Sequence, residues 1–371
     1  MPYFDHSAST PINPEVLEFM SSIHRDIYGN PSSIHTHGRK ARSIIEKARE
    51  QVAKSIGANP NHIIFTSGGS ESNNQVLWSR LKKRKNHIIS TKIEHPAILN
   101  VLKSLEKLGI SHNCISVDKD GIIDINEYEN SIHKMVGLIS VMLASNEVGS
   151  VQPLKNIVEI AKKKSIPVHT DAVQCLGKIP IDVNELGVDA LSLSGHKFYG
   201  PKGSGILYIR NKKFISPFII GGGQENGLRA GTENIALIAG MGLAAEIATS
   251  NLSVKAKHLK NLENQFKNGL KIFFPDAVFN GHQIQKLPGL LSVSFPGFKS
   301  DILMAKLDRA GMAVSNGSAC GSGIVRLSDT LKSMGINNGL NKSTIRISFG
   351  ITNNSNEISN LLSVINSILN I

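Results

Sequence analysis

Residues 138–171 read LISVMLASNEVGSVQPLKNIVEIAKKKSIPVHTD, and this stretch decides the fold. Leu138 to Leu143 is apolar at nearly every position, a helix runs from about Leu154 to Lys164, and Pro167 to Thr170 leads into Asp171. A continuous apolar run is the pattern of a strand buried on both faces, and two such strands joined through a helix lie parallel.

The same rhythm extends in both directions. Ile63-Ile64-Phe65-Thr66 predicts a strand, followed by a glycine turn and a helix through Leu81. His87 to Thr91 is the next strand, then a helix with Ala97, Ile98, Val101, Leu102, Leu105 and Leu108 on one face, then a strand from Asn113 to Val117. Ala190-Leu191-Ser192-Leu193 is a further apolar run. Strands alternating with helices predict an α/β core, a mostly parallel sheet covered on both faces, with ligands at the carboxyl ends of its strands.

The last third differs. A long helical stretch from about Ile235 to Leu270 is followed by strands near Leu290 to Phe295 and Thr344 to Phe349, and by a closing helix from about Ser355 to Leu369. This places a boundary near residue 255, with a large domain over 14–255 and a smaller α+β domain formed by 1–13 and 256–371.

Composition narrows the function classes. The 371 residues are 40% hydrophobic and 19% charged, the profile of a globular protein large enough for two domains. No apolar run reaches the length of a membrane span, and Tyr3-Phe4-Asp5 stands where a leader would have a basic and then apolar stretch, so a cytoplasmic location is expected. Cys114, Cys175 and Cys320 share no metal-type spacing and leave one thiol unpaired, which points to neither a zinc site nor a disulfide framework. The net charge of +12 gathers in runs such as Lys82-Lys83-Arg84-Lys85 and Lys162-Lys163-Lys164, where cations offset the negative ends of helices. No aromatic-rich basic strand accompanies it, so an acidic protein partner fits better than nucleic acid.

Ser194-Gly195-His196-Lys197 follows the Ala190–Leu193 run and precedes the glycine-rich Gly200 to Gly205. A lysine at a buried strand end is partly desolvated, which lowers its pKa and frees an amine for Schiff-base chemistry. Asp171, at another strand end, suits a pyridoxal phosphate site, where a carboxylate keeps the ring nitrogen protonated. Ser67-Gly68-Gly69-Ser70, between strand and helix, offers free N–H groups and a hydroxyl to a phosphate. Cys320 lies in Asn316-Gly317-Ser318-Ala319-Cys320-Gly321-Ser322-Gly323, a segment with little to bury, as befits a nucleophile more than a core thiol. In Thr344-Ile345-Arg346-Ile347-Ser348-Phe349 the apolar residues alternate onto one face, and Arg346 takes the other.

Taken in order, Thr66 to Asn74, Glu94-His95, Asn146-Glu147-Val148-Gly149, His169 to Gln174, Ser194 to Lys197, Arg229-Ala230-Gly231-Thr232 and Ser318-Ala319-Cys320 resemble the cysteine desulfurases of the NifS type, in the class V aminotransferase superfamily. The resemblance spans nearly the whole chain. It implies the type I fold of pyridoxal-phosphate-dependent transferases, with a seven-stranded, mostly parallel sheet in the large domain and the cysteine loop on the small one. It implies that Lys197 holds pyridoxal 5'-phosphate and moves protons at the substrate Cα, that His95 stacks on the ring as an acid–base group, and that Asp171 faces the ring nitrogen. Gly69, Ser70, Ser194 and His196 would bind the phosphate, with Thr232 reaching the neighbouring site of a homodimer. Asn146 and Gln174 would meet the cofactor's phenolic oxygen or the substrate, and Arg346 the carboxylate of L-cysteine. Cys320 would take the sulfur as a persulfide and pass it to an acceptor protein.

Arg326-Leu327 stands where this branch often has Glu-Pro, and Gly69-Ser70 where Ala-Thr is common. The resemblance leads one to expect a longer tail in members that dock an iron–sulfur scaffold than the 21 residues (371 minus 350) that follow Gly350, so the acceptor is left open. Three other readings keep part of the pattern: a selenocysteine lyase, a class V transaminase in which Cys320 has no task, and a non-catalytic sulfur-assembly subunit.

Overall fold

A computed structural model describes residues 2–81, 83–317 and 327–369. Its larger sheet contains β1 (Ile63–Thr66), β2 (His87–Thr91), β3 (Ser111–Ile115), β4 (Val136–Ser140), β5 (Val168–Asp171), β6 (Ala190–Ser194) and β7 (Gly205–Ile209). They lie in the order β1-β7-β6-β5-β4-β2-β3, all parallel except β7, which runs antiparallel to both neighbours. The α/β architecture expected from the alternating runs is present. Every residue of β1, β2, β4, β5, β6 and β7 is buried, which is why these segments carry near-continuous apolar runs.

Two boundaries differ from expectation at the free edge. β3 starts at Ser111 and ends at Ile115, because Ser111-His112-Asn113 pair in parallel with His87-Ile88-Ile89. The Glu127 carboxylate then accepts from Ser116 N–H and takes the chain out of the ladder. Its polar residues are tolerated because an edge strand has one side to solvent.

The N-terminal third adds α1 (Pro14–Asp26) and α2 (Thr36–Ser55). Asn13 caps α1 by accepting from Glu15 N–H, with Pro14 at its first position. Through the sheet run α3 (Gly69–Trp78), α4 (Pro96–Glu106), α5 (Ile125–Asn130), α6 (Leu154–Lys163) and the short α7 (Val183–Leu186).

The helix expected over 235–270 is two helices, α8 (Ile235–Thr249) and α9 (Leu252–Phe273), bent by 73°. Asn251 makes the break in the left-handed conformation (φ 50°, ψ 36°). No single helix among the described residues is long and apolar enough to cross a membrane. The apolar character of α8 has a packing cause. It lies against α1 and α2, and a Cβ at Gly242 would stand 2.6 Å from Ala48 Cα, so the small residues let the backbones approach.

A second sheet, antiparallel in the order β10-β9-β8, joins β8 (Val278–Asn280), β9 (Leu290–Ser294) and β10 (Thr344–Ser348). With α9, α10 (Ser300–Arg309) and α13 (Ser355–Leu369) it encloses its own cluster, including Phe4, Phe266, Phe295, Ile345, Ile347 and Ile365. The short α11 (Asp329–Ser333) and α12 (Asn338–Lys342) lead into β10. The exposed edge of β10 is covered by bridges Asp5 to Ser348 and Ser315 to Arg346.

Candidate active site

The parallel strands end at the same rim, and several of them bring polar groups to it: Thr66 and Ser67 at β1, Asp171 at β5, and Ser194 with the turn to Lys197 at β6. α3 begins at Gly69 without a side-chain cap at Gly68, so its first N–H groups stay available, and Ser70 is exposed beside them. The turn is fitted tightly to its neighbours. A Cβ at Gly69 would lie 2.5 Å from Val173 Cγ2, and one at Gly205 would lie 2.4 Å from Gly68 Cα. One turn along α3, Asn73 donates from Nδ2 to Asp171 Oδ2 at 2.6 Å, and Val173 N–H donates to Asp171 Oδ1 at 3.0 Å. The helix that presents the anion turn thus also holds the buried carboxylate.

Lys197 follows β6 in a short 3₁₀ turn, Gly195–Lys197. Its Nζ donates to the carbonyls of Ser7 (2.7 Å) and Ala8 (2.8 Å). Burial, seconded by the Arg346 and Lys178 cations, lowers its pKa to about 7. His95, the N-cap of α4, accepts from Ala97 N–H through Nδ1, so its neutral ring carries the proton on Nε2. Burial lowers its pKa, and Asp171 and Lys197 are the charges that act on it. Asp171 and Lys197 act on His95, and Asp171 acts on Lys197, so the three lie within electrostatic reach of one another.

Arg346, on β10, is buried and enters the cluster from the second sheet. Nη1 donates to Asn146 C=O, and Nη2 to Asp5 Oδ1 and Ser315 Oγ, each at 2.9 Å. Gln174 donates to Ser7 C=O and accepts from Lys178 Nζ, whose pKa burial lowers to about 8. Ser194 is buried beside Gly68, and His196 Nδ1 lies 3.3 Å from Ser9 Oγ with its pKa lowered by burial to about 4. Thr232 is exposed on a segment pinned by the pair of Arg229 with Glu71. The hydroxyls of Ser70, Ser194 and Thr232 make no hydrogen bond among the described residues. Cys320 lies outside the described residues. Cys114 and Cys175 are held as thiols by burial, the first with its pKa pushed up to about 11.

Sequence reasoning misses Asp5, the Ser7 and Ala8 carbonyls, Asn73 and Lys178. Two of them have a visible signal: Asn73 lies inside the Thr66 to Asn74 motif, though without a role of its own, and Asp5 is a lone acid in an otherwise uncharged opening segment.

These residues fit pyridoxal phosphate. Asp171 is fixed for a ring nitrogen, uncommitted hydroxyls and N–H groups suit a phosphate, and Asn73 Oδ1 and Thr170 Oγ1 are buried without partners in the same region. Fold and site together define a type I pyridoxal-phosphate enzyme.

The sequence matches the aminotransferase class-V family over residues 2–361. It is 42% identical to "Cysteine desulfurase IscS" of Dictyoglomus turgidum over 370 residues, 99% of this chain and 94% of that protein. A solved structure titled "NIFS-LIKE PROTEIN" superimposes with a TM-score of 0.94 at 40% identity, covering 99% of each chain. One titled "SspA in complex with cysteine" does so with a TM-score of 0.82 at 35% identity, over 94% of this chain and 99% of that one. The chain belongs to the class-V aminotransferase family, among its cysteine desulfurases.

Proposed function

We propose that this chain is a cysteine desulfurase that converts L-cysteine to L-alanine and receives the sulfur on Cys320 as a persulfide for an acceptor protein. The observation that carries this reading is the convergence of Lys197, His95, Asp171 and Arg346 at one strand rim, with Lys197 poised to lose its proton near neutral pH.

Bound pyridoxal phosphate supplies an electron sink that weakens bonds at the substrate Cα and Cβ. Lys197 would hold the cofactor through its amine and carry the proton at the substrate Cα. Asp171, held by Asn73, would keep the ring nitrogen protonated, and His95, whose Nδ1 is taken up by Ala97 N–H, would offer Nε2 to the ring or substrate as an acid–base group. Ser70, Ser194, His196 and the α3 N-terminus would hold the phosphate, with Gly69 allowing the turn its packing. Asn146 and Gln174 border the substrate, and Arg346 takes its carboxylate. Cys320 as thiolate attacks the substrate sulfur; the Cβ–S bond breaks, its electron pair stays with Cβ, and a proton completes alanine. Cys114 and Cys175, kept protonated by burial, support Cys320 for this task.

A homodimer is part of this reading, since Thr232 is exposed with an unused hydroxyl and would reach the neighbouring site. So are a cytoplasmic location, a sulfur acceptor with an acidic face, and a small domain of 1–13 and 256–371 set on a large domain of 14–255.

Purified protein given pyridoxal phosphate turns yellow and releases alanine from cysteine, and Lys197→Ala abolishes both. Colourless wild-type protein would sink the reading. Turnover that survives Cys320→Ser would favour a selenocysteine lyase, and a keto acid product a transaminase.

A further inference from the structure

A buried guanidinium needs its N–H groups matched, and the matching at Arg346 is uneven. Nη1 has Asn146 C=O, Nη2 has both Asp5 Oδ1 and Ser315 Oγ, and Nε is buried with no partner. Ser315 Oγ also donates to Asp5 Oδ1 at 2.9 Å, which closes a triangle around Nη2. A guanidinium grips a carboxylate with two prongs along only two edges, Nε with Nη2 or Nη1 with Nη2. Nη2 belongs to both, and both of its protons are engaged. No two-pronged edge of Arg346 is therefore open in this arrangement, and Nε, buried without a partner, is its one unmatched donor.

Asp5 is the less deeply buried member of the pair. It forms the ion pair with Arg346 at 2.9 Å, yet its side chain keeps 16% of its surface against 5% for the arginine. The segment around it is anchored independently of its carboxylate: Ser348 N–H donates to Phe4 C=O, His6 N–H to Ser348 C=O, and Ser7 N–H to Ser348 Oγ. The side chain can turn away while the strand stays docked on β10.

We propose that Asp5 is an internal stand-in for the substrate carboxylate, a positioning and specificity residue that holds Arg346 until an amino acid's carboxylate takes its place on Nη2 and fills Nε. This rests on the reading of Arg346 as the substrate clamp. Exchange of one carboxylate for another keeps the buried cation paired with one anion throughout, so neither state leaves it uncompensated. A ligand without a carboxylate gains nothing from the exchange.

The test uses cofactor-loaded protein and follows the binding of L-alanine, which has no sulfur to transfer, by the absorbance of the bound cofactor. Asp5→Asn keeps an acceptor for Nη2 and Ser315 but removes the competing charge, so the affinity for L-alanine rises about tenfold, as expected for relief from a charge-assisted hydrogen bond. Binding of L-alaninamide stays within about twofold. Asp5→Ser makes the same comparison if the asparagine variant does not fold. Unchanged or weaker L-alanine binding in a folded, loaded variant overturns the proposal, as does an equal gain for L-alaninamide. Wild-type protein that binds neither L-alanine nor L-cysteine overturns the reading of the site itself.

Discussion

Arg229 Nε lies 3.0 Å from Glu71 Oε1, which fastens the segment bearing Thr232 to the turn bearing Ser70. The second Glu71 oxygen accepts from Ser67 N–H at 2.8 Å, so one carboxylate braces the anion turn from inside and the Thr232 segment from outside.

Burial pushes the Glu71 pKa up, but the hydrogen bonds from Arg229 and Ser67 outweigh it and the net shift is downward. A carboxylate depressed on folding stabilises above its unfolded pKa, and that stability is lost as pH falls from about 4.5 through the lower folded value. Glu71→Gln removes this acid-sensitive part and costs about 2 kcal/mol at pH 7. That is less than the ~3–5 kcal/mol of a fully buried broken pair, because Arg229 retains some solvent. Urea unfolding at pH 7 and pH 4 checks it: the wild-type advantage shrinks at the lower pH. The variant also loses affinity for pyridoxal phosphate.

Lys197 must be neutral to attack an aldehyde, and with a pKa of about 7 the neutral fraction grows tenfold per pH unit below that point and levels off above it. Colour development after mixing cofactor-free protein with pyridoxal phosphate follows the same curve, rising to about pH 7 and flat beyond. A rate still climbing tenfold per unit at pH 9 would mean an ordinary exposed lysine.

Glu94 is buried beneath the rim, where Oε1 accepts from Thr91 Oγ1 at 2.7 Å and Met142 N–H at 2.9 Å and Oε2 has no partner. Burial is the dominant cause that raises its pKa to about 8. Between about 4.5 and 8 the folded state binds the extra proton, so stability falls as pH rises across that window. Glu94→Gln keeps an oxygen for Thr91 and Met142 without an ionisable proton. The variant gains on the wild type by a few kcal/mol from pH 5 to pH 8 in urea unfolding, on the scale of 1.4 kcal/mol per pKa unit. Parallel pH profiles for the two proteins would show Glu94 ionised at neutral pH.

Much of the large sheet is legible because its strands are buried on both faces, which forces near-continuous apolar runs such as Ala190 to Leu193. Lys197 and Asp171 are legible because each stands at a strand end: Lys197 is the first charged residue after Ala190 to Leu193, and Asp171 closes the stretch from Pro167 to Thr170. The break in the long helix is not, because Ser250-Asn251 carries neither glycine nor proline, and asparagine takes the left-handed turn without a strong signal. α1 did carry a signal, Asn13 before Pro14, which marks a helix start. The hidden part of the site is hidden by distance along the chain. Asn73 meets Asp171 across 98 residues, and Asp5 meets Arg346 across 341, so nothing local to either partner reports the pair.

Glu147 joins the two flanks of residues 318–326, the segment containing Cys320. Its carboxylate accepts from Ser328 Oγ at 2.5 Å and Thr330 Oγ1 at 3.0 Å, and Gly317 packs so closely that a Cβ there would stand 2.3 Å from Oε2. Burial pushes the Glu147 pKa up, against those two hydrogen bonds. Its neighbour Asn146 meanwhile accepts from Arg346 through its carbonyl, so one short loop after β4 supports both the substrate clamp and the flanks of the cysteine segment. Gly317→Ala displaces the Glu147 carboxylate from both flanks at once, while Lys197, Asp171 and the anion turn are untouched. The variant loads pyridoxal phosphate and binds L-cysteine like the wild type, yet forms persulfide on Cys320 about tenfold more slowly, read by mass spectrometry after a single addition of substrate. Persulfide formation at the wild-type rate would show that the flanks do not govern sulfur transfer, and loss of cofactor binding would show that Gly317 supports the fold of the whole site.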